Sequence, residues 1–287
     1  LAIYKGIKMT KDDAPLLDIN QHDGVLWLTK KNVQDGYGMS LKMLDAMHSA
    51  LDSAAADPSI RAIIIDAGGR GFHSGAIAAT ELQPQLENMD RHDFKHLVKI
   101  GHAIGSKIAQ LPKPVLGIAR SGALGGGLEI LLRCDFIYCL DSARFSFPEV
   151  TLGFVAAWGG TQLSARLLPY RRAQEMLLLG EGINGAEAQD WGLVSRSFSD
   201  NEALVAHIES VLERLRLCSP ASLKWTKECL SAAWHGSLQT GLEKELEAET
   251  ETMATGDFLK GLSALREGSN FDFIAGKAVA KKTITKT

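Results

Sequence analysis

Apolar and polar positions alternate along the chain in two periods, which divide it into short buried strands and amphipathic helices. Residues 25–29 read as a strand. Ser40 suits the N-cap of a helix carrying Leu41, Met43, Leu44, Met47 and Leu51 on one face. That helix stops near Asp57 and Pro58, because proline disfavours helical backbone in the residue before it. Residues 61–66 hold Ile63, Ile64 and Ile65 in a row, the pattern of a strand covered on both faces, and run into the glycine-rich turn 68–71. Residues 77–93 have mixed polarity and contain Pro84; they are expected to form a loop or irregular helix, in the position of a lid. A helix is predicted over 94–110, a second buried strand over 115–118, a helix over 128–132 opened by Gly125–Gly127, and a third strand over 136–139. Residues 145–158 read as loop, and helix resumes near Gly160.

Strands alternating with helices predict an α/β fold with mostly parallel pairing. From about Glu202 onward the pattern becomes wholly helical, punctuated by Ser219–Pro220 and Gly236. The run 243–251 is acidic and reads as a solvated helix face; 277–287 is basic and reads as a frayed tail. The expected organisation is an N-terminal extension over 1–22, a core over 23–200, a C-terminal helical region over 201–275 and a basic tail over 276–287.

Composition narrows the function classes. A chain of 287 residues buries a sizeable core, and a net charge of −3 gives no basic footprint for nucleic acid. No apolar run reaches the roughly 20 residues needed to span a bilayer, and no secretory h-region is present. Cys134, Cys139, Cys218 and Cys229 form neither a zinc nor a redox CxxC pattern and are expected to be packing residues or ordinary thiols. A cytoplasmic protein without a metal site, bound to neither membrane nor nucleic acid, is the expectation.

Two stretches share one design. The strand at 61–66 leads into Phe72–His73–Ser74–Gly75–Ala76, and the strand at 115–118 leads into Ser121–Gly122–Ala123–Leu124–Gly125–Gly126–Gly127. Each places backbone N–H groups past the C-terminal end of a parallel strand, where open α/β folds bind ligands. The second also opens a helix, whose N-terminus favours negative charge. Two such N–H groups aimed at one point make an oxyanion hole. Glycines that merely form tight turns account for the same residues, and the dinucleotide pattern GxGxxG with an acidic partner is not met.

Two glutamates lie close to these turns in sequence. Glu129 falls in the first turn of its helix among Leu128, Ile130, Leu131 and Leu132; Glu149 lies between Phe147–Pro148 and Val150. A carboxylate held in apolar surroundings has its pKa raised, which suits general acid–base work near neutrality. Two neighbouring carboxylates also divide into an acid and a base.

With FHSGA (72–76), LPKPVLGIARSGALGGGLEILLRCD (111–135), ARFSFPEVTLGFVAAWGGTQ (143–162) and AQDWGLVSR (188–196), the chain resembles the crotonase (enoyl-CoA hydratase/isomerase) superfamily over roughly residues 23–273. The resemblance implies a spiral of β-β-α repeats with a C-terminal helical region, and trimers or dimers of trimers. It implies an oxyanion hole from the N–H groups of Ala76 and Gly126, with Gly125 alongside. It also implies a 2-enoyl-CoA substrate and no cofactor beyond the coenzyme A of the substrate. Glu129 then orients or deprotonates a water that adds to the β-carbon, and Glu149 delivers a proton to the α-carbon.

The chain departs from the family pattern in three places. Ile77 replaces an acid after the first turn, and Arg120 replaces an asparagine before the second. Val155–Ala156–Ala157–Trp158 stands where hydratases read IPG; Ala157 takes the place of a glycine whose N–H helps hold the catalytic water. Trp158 is read either as a wall of the acyl pocket or as core, and His73 either as a substrate contact or as structural. The nucleophilic carboxylate of dehalogenase relatives is not found here. The alternatives to a hydratase are an isomerase, a decarboxylase, a thioester or C–C bond hydrolase, and a non-catalytic acyl-CoA-binding paralogue.

Overall fold

The computed structural model describes residues 17–31, 41–69, 71–73 and 90–281, in two compact units that divide after Ala206. The first unit opens with a hairpin, β1 (Leu17–His22) antiparallel to β2 (Val25–Lys30), so six residues of the stretch set aside as an extension are ladder. Helix α1 (Leu41–Ala56) ends just before Asp57, as Pro58 requires. Ser40, its expected N-cap, lies outside the described residues.

From there the chain winds in turns, each contributing one strand to each of two sheets. β3 (Ala62–Asp66) joins the larger sheet and β4 (Phe72–His73) the smaller, and α2 (Arg91–Gln110) follows. The next turn supplies β5 (Val115–Ala119), β6 (Gly122–Leu124) and α3 (Gly126–Leu131). A third supplies β7 (Phe136–Leu140), β8 (Arg144–Ser146), a 3₁₀ turn (Pro148–Leu152), α4 (Gly160–Leu167) and α5 (Tyr170–Leu179). β9 (Ile183–Asn184), α6 (Gly185–Trp191), β10 (Arg196–Phe198) and α7 (Asn201–Arg216) follow. The larger sheet runs β1-β2-β3-β5-β7-β10, parallel from β2 onward; the smaller runs β4-β6-β8-β9. This is the expected β-β-α spiral.

Every residue of β3 and β5 is buried, which is why their sequences are unbroken apolar runs up to Asp66. Leu97, Ile100, Ile104 and Ile108 form the buried stripe of α2 at helical spacing. That helix begins three residues before the predicted Phe94, and 145–158 is not wholly loop, since it contains the end of β8 and the 3₁₀ turn.

The ends of β3 and β5 are tied by charge. Arg120 Nη1 donates to both carboxylate oxygens of buried Asp66, at 2.8 and 2.6 Å, and Arg120 Nε donates to Asn201 Oδ1. Asp66 Oδ1 also accepts from Gly68 N, Ser121 Oγ donates to Gly69 O, and the buried Lys30 ammonium donates to Gly71 O at 2.9 Å. The first glycine turn is therefore clamped from three sides.

The second unit holds α8 (Pro220–His235), α9 (Leu238–Ala254) and α10 (Asp257–Arg266), with Ser219 and Ser237 as side-chain N-caps. It is not wholly helical: β11 (Ser269–Asp272) pairs antiparallel with β12 (Lys277–Ala280), so the ladder continues into the stretch read as a basic tail. Glu243, Glu245, Glu247, Glu249 and Glu251 are exposed on α9, spread around the helix by their two-residue spacing rather than gathered on the one solvated face expected of the acidic run.

Candidate active site

The three consecutive glycines do different jobs. Gly125 is the N-cap of α3 at φ 55°, backbone that favours glycine, and its N–H is bonded to Ser146 O of β8. Gly126 is the first helical residue, at the end of α3 where N–H groups point outward along the axis. A Cβ on Gly127 would stand 2.5 Å from Phe72 O, so glycine lets α3 press against β4. The tight-turn reading thus describes Gly125, while Gly127 is required by the packing of α3 on β4.

Two residues on, Glu129 is 3 % exposed. Its Oε1 accepts from Trp158 N and from Gly160 N, each at 2.7 Å, so the carboxylate is anchored through one oxygen. A Cβ on Gly160 would lie 2.9 Å from that oxygen and 2.8 Å from Phe147 and Ala156, so only glycine brings this amide so close. Burial pushes the Glu129 carboxyl up to about 7. The Gly160 amide works against this, the nearby Glu149 carboxylate adds to it, and the Trp158 and Gly159 amides again oppose it.

Glu149 sits in the first turn of the 3₁₀ segment, entered through buried Phe147 and Pro148. Its carboxyl is also raised by burial. Its Oε2 is buried and has no hydrogen-bond partner among the described residues. The structure thus brings Glu129 and Glu149 within electrostatic reach of one another, both raised in proton affinity.

The segment 154–160, which supplies the amides for Glu129, leans on one face of α2. Phe154 stacks on Phe94 at 5.9 Å between ring centroids. The half-buried Trp158 indole occupies the space a side chain at Gly101 would need, since a Cβ there would lie 2.1 Å from the ring. His102 Nε2 meets Ala157 O at 2.6 Å. One turn beyond Gly101, Gly105 makes room for the half-buried Arg133, whose Nη2 would stand 2.7 Å from a Cβ on Gly159. Burial works against the Arg133 charge and Glu129, four residues earlier on α3, supports it.

Of the residues singled out from sequence, the structure gathers Gly125, Gly126, Glu129, Glu149, Ala157 and Trp158 around the N-terminal turn of α3 and the loop facing it. Ala76 and most of the expected lid, residues 77–89, lie outside the described residues, as does the side chain of His73. Sequence reasoning missed His102 and Arg133. The available signals were the steps of seven and four from Phe94 to Gly101 to Gly105, and the i, i+4 spacing of Glu129 and Arg133. None of the four cysteines is in a disulfide, and among the described residues no group of three His, Cys, Asp or Glu side chains could hold a metal ion.

The profile described as enoyl-CoA hydratase/isomerase matches residues 21–276. The chain belongs to this family. Among relatives of the enoyl-CoA hydratase/isomerase family, it is 30% identical over 258 residues to the 2,3-dehydroadipyl-CoA hydratase of Escherichia coli, covering 90% of this chain and 98% of that one. It is 31% identical over 231 residues to the mitochondrial enoyl-CoA hydratase of Pongo abelii, covering 80% and 77%. The crystal structure of an enoyl-CoA hydratase from Bacillus anthracis matches with TM-score 0.79 and 26% identity, over 88% of this chain and 96% of that chain. The crotonase fold is thereby shown.

Proposed function

We propose that this chain is an acyl-CoA hydratase that adds water across the 2,3 double bond of a 2-enoyl-CoA. The carrying observation is the pair of electrostatically coupled carboxyls, buried Glu129 and half-buried Glu149, both raised by burial, with Glu129 poised at about 7. Hydratase names among relatives at about 30% identity over most of the chain support the reading.

In this reading the thioester oxygen is held by the Gly126 N–H at the N-terminus of α3 and, following the family resemblance, by the Ala76 N–H. Glu129, anchored through Oε1, takes a proton from a water as the water oxygen bonds to the β-carbon. The electron pair of the double bond moves onto the thioester, and the negative charge on its oxygen is stabilised by N–H groups and the helix end. Glu149 gives a proton to the α-carbon, the role that the family resemblance implies for it. The proton held by Glu129 then restores Glu149 through the neighbouring carboxyl or solvent. One water is consumed, one C–O and one C–H bond form, and no electron carrier is required. The proposed site residues are Glu129 and Glu149 for proton transfer, with Gly125, Ala157, Trp158 and His73 along the substrate.

The reading includes a homotrimer or homohexamer. Leu238, Leu242 and Leu246 recur every four residues on α9 and are 80%, 49% and 73% exposed, an apolar stripe that supports self-association. Among the described residues no helix is long and apolar enough to cross a membrane.

The test is mass spectrometry of a panel of 2-enoyl, 3-hydroxy, branched, aromatic and carboxylated acyl-CoAs after incubation with the protein. Gain or loss of one water is expected. Release of free CoA or CO₂, or binding without turnover, overturns the reading in favour of a hydrolase, a decarboxylase or a binding protein.

A further inference from the structure

One peptide group in the site is held on both sides. The carbonyl of Ala157 meets His102 Nε2 at 2.6 Å, and the N–H of the same peptide, carried by Trp158, donates to Glu129 Oε1 at 2.7 Å. A carbonyl oxygen only accepts, so His102 must donate from Nε2. Donation to a peptide carbonyl draws charge toward its oxygen and makes the N–H on the other end a better donor; hydrogen bonds in such a chain strengthen one another. The flanking contacts allow no sliding of this peptide along α2. Trp158 is seated over Gly101, Phe154 over Phe94, and Gly160 must bring its own amide to the same carboxylate oxygen.

We propose that His102 is a positioning residue for the hydration reaction, orienting the Ala157–Trp158 peptide and through it the carboxylate of Glu129. The proposal rests on the hydratase reading for its kinetic consequence and on the hydrogen bonds alone for its structural one. His102 is exposed on α2 and makes its bond from the opposite side of the peptide, so it reaches the reaction only through Glu129. Glu129 faces three other charged or polar influences: the Glu149 carboxyl from the 3₁₀ turn, Arg133 from the turn just past the end of α3, and the Gly159 and Gly160 amides. None of these is bonded to the Ala157 carbonyl in the structure, so a change at His102 is read at the Trp158 amide first.

The experiment compares the parent with His102→Phe, which keeps a ring without a donor, and His102→Gln, which returns an amide N–H. Two quantities are measured: kcat and KM for the enoyl-CoA that the panel identifies, and the ¹³C titration of the Glu129 carboxyl, assigned by its loss in Glu129→Gln. Removing the donor weakens the Trp158 amide as partner of the carboxylate, so His102→Phe is expected to raise the Glu129 titration. It should also lower kcat by about two- to ten-fold, the range of one ordinary hydrogen bond, with KM little changed. His102→Gln is expected to restore both. If the Glu129 titration is the same in all three proteins, the proposal is overturned, whatever the activity. If it moves as expected while no acyl-CoA gains or loses water, the positioning role stands and the hydratase reading fails. An unchanged kcat in His102→Phe, in a protein that does hydrate, overturns the kinetic role.

Discussion

Replacing Glu129 by glutamine should stabilise the folded chain while it removes activity, and the gain should appear only as pH rises. Lifting a carboxyl from 4.5 to about 7 by burial corresponds to roughly 3 kcal/mol of folding free energy forgone when the group is ionised. The sign follows from proton binding. Below about 4.5 both folded and unfolded chains hold the proton, and the group contributes nothing. Between about 4.5 and 7 the unfolded chain releases it first, so the stability of the parent falls as pH rises through that window. Above about 7 both states are ionised and the full penalty remains. Glutamine carries no charge, keeps the size of the side chain, and leaves an amide oxygen to accept from Trp158 and Gly160. Urea unfolding of both proteins from about pH 5 to about pH 8 measures the difference; titrating groups remote from the site cancel between the two chains, while Glu149, coupled to Glu129, contributes to it. The glutamine variant should gain roughly 3 kcal/mol relative to the parent across this range. A difference that does not change with pH would refute the assignment of a buried, proton-hungry carboxyl at this position.

Four further outcomes are expected. Glu129→Gln and Glu149→Gln should each lower kcat by about 10²- to 10⁴-fold, measured by the loss of enoyl absorbance, because each removes one proton-transfer group. The parent's kcat/KM should rise with pH through about 7 as Glu129 becomes available as a base, and a stopped-flow pH profile checks this. Arg120→Ala leaves Asp66 buried without its cation and should cost about 2 kcal/mol in urea unfolding, below the range for a fully buried pair because Arg120 is partly exposed. Gly101→Ala should destabilise the parent by about 1–3 kcal/mol through its clash with the Trp158 ring, and should be nearly neutral in a Trp158→Ala background, a coupling that a double-mutant cycle measures directly.

The elements that were legible in the sequence are those whose burial is uniform. Ile63–Ile64–Ile65 and Val115–Leu116 announce central strands because both faces are covered, and Met43, Leu44, Met47 and Leu51 announce α1 because one face is. The smaller sheet escaped attention because its strands span only two or three residues, too few to show a period of two. Pairing of Ser269–Asp272 with Lys277–Ala280 was hidden for a similar reason: the tail is polar and small on both faces. Within the site, Glu129 and Glu149 stood out because a charge amid apolar neighbours is anomalous in any sequence. His102 did not, since a polar residue on an amphipathic helix is ordinary, and Arg133 did not, since an arginine just past a helix end is equally ordinary. Their importance comes from which loop the helix meets, and that depends on the register between α2 and residues 154–160.

The ladder of the larger sheet also carries a kinetic consequence. Leu116 pairs with Phe136 across a connection of 20 residues, whereas Ile63 pairs with Val115 and Tyr138 with Arg196 across 52 and 58. Loop-closure entropy makes the shortest of these the least demanding to form, by about 1 kcal/mol, and that connection is the one that contains Gly125, Gly126 and Glu129. Among the parallel pairs of that sheet, β5–α3–β7 is thus the one closed by the shortest connection, and it carries Glu129 of the proposed site. Substitutions there that spare the final stability should still slow the rate at which the chain finds its fold, so Gly125–Glu129 bear on the route as well as on the destination.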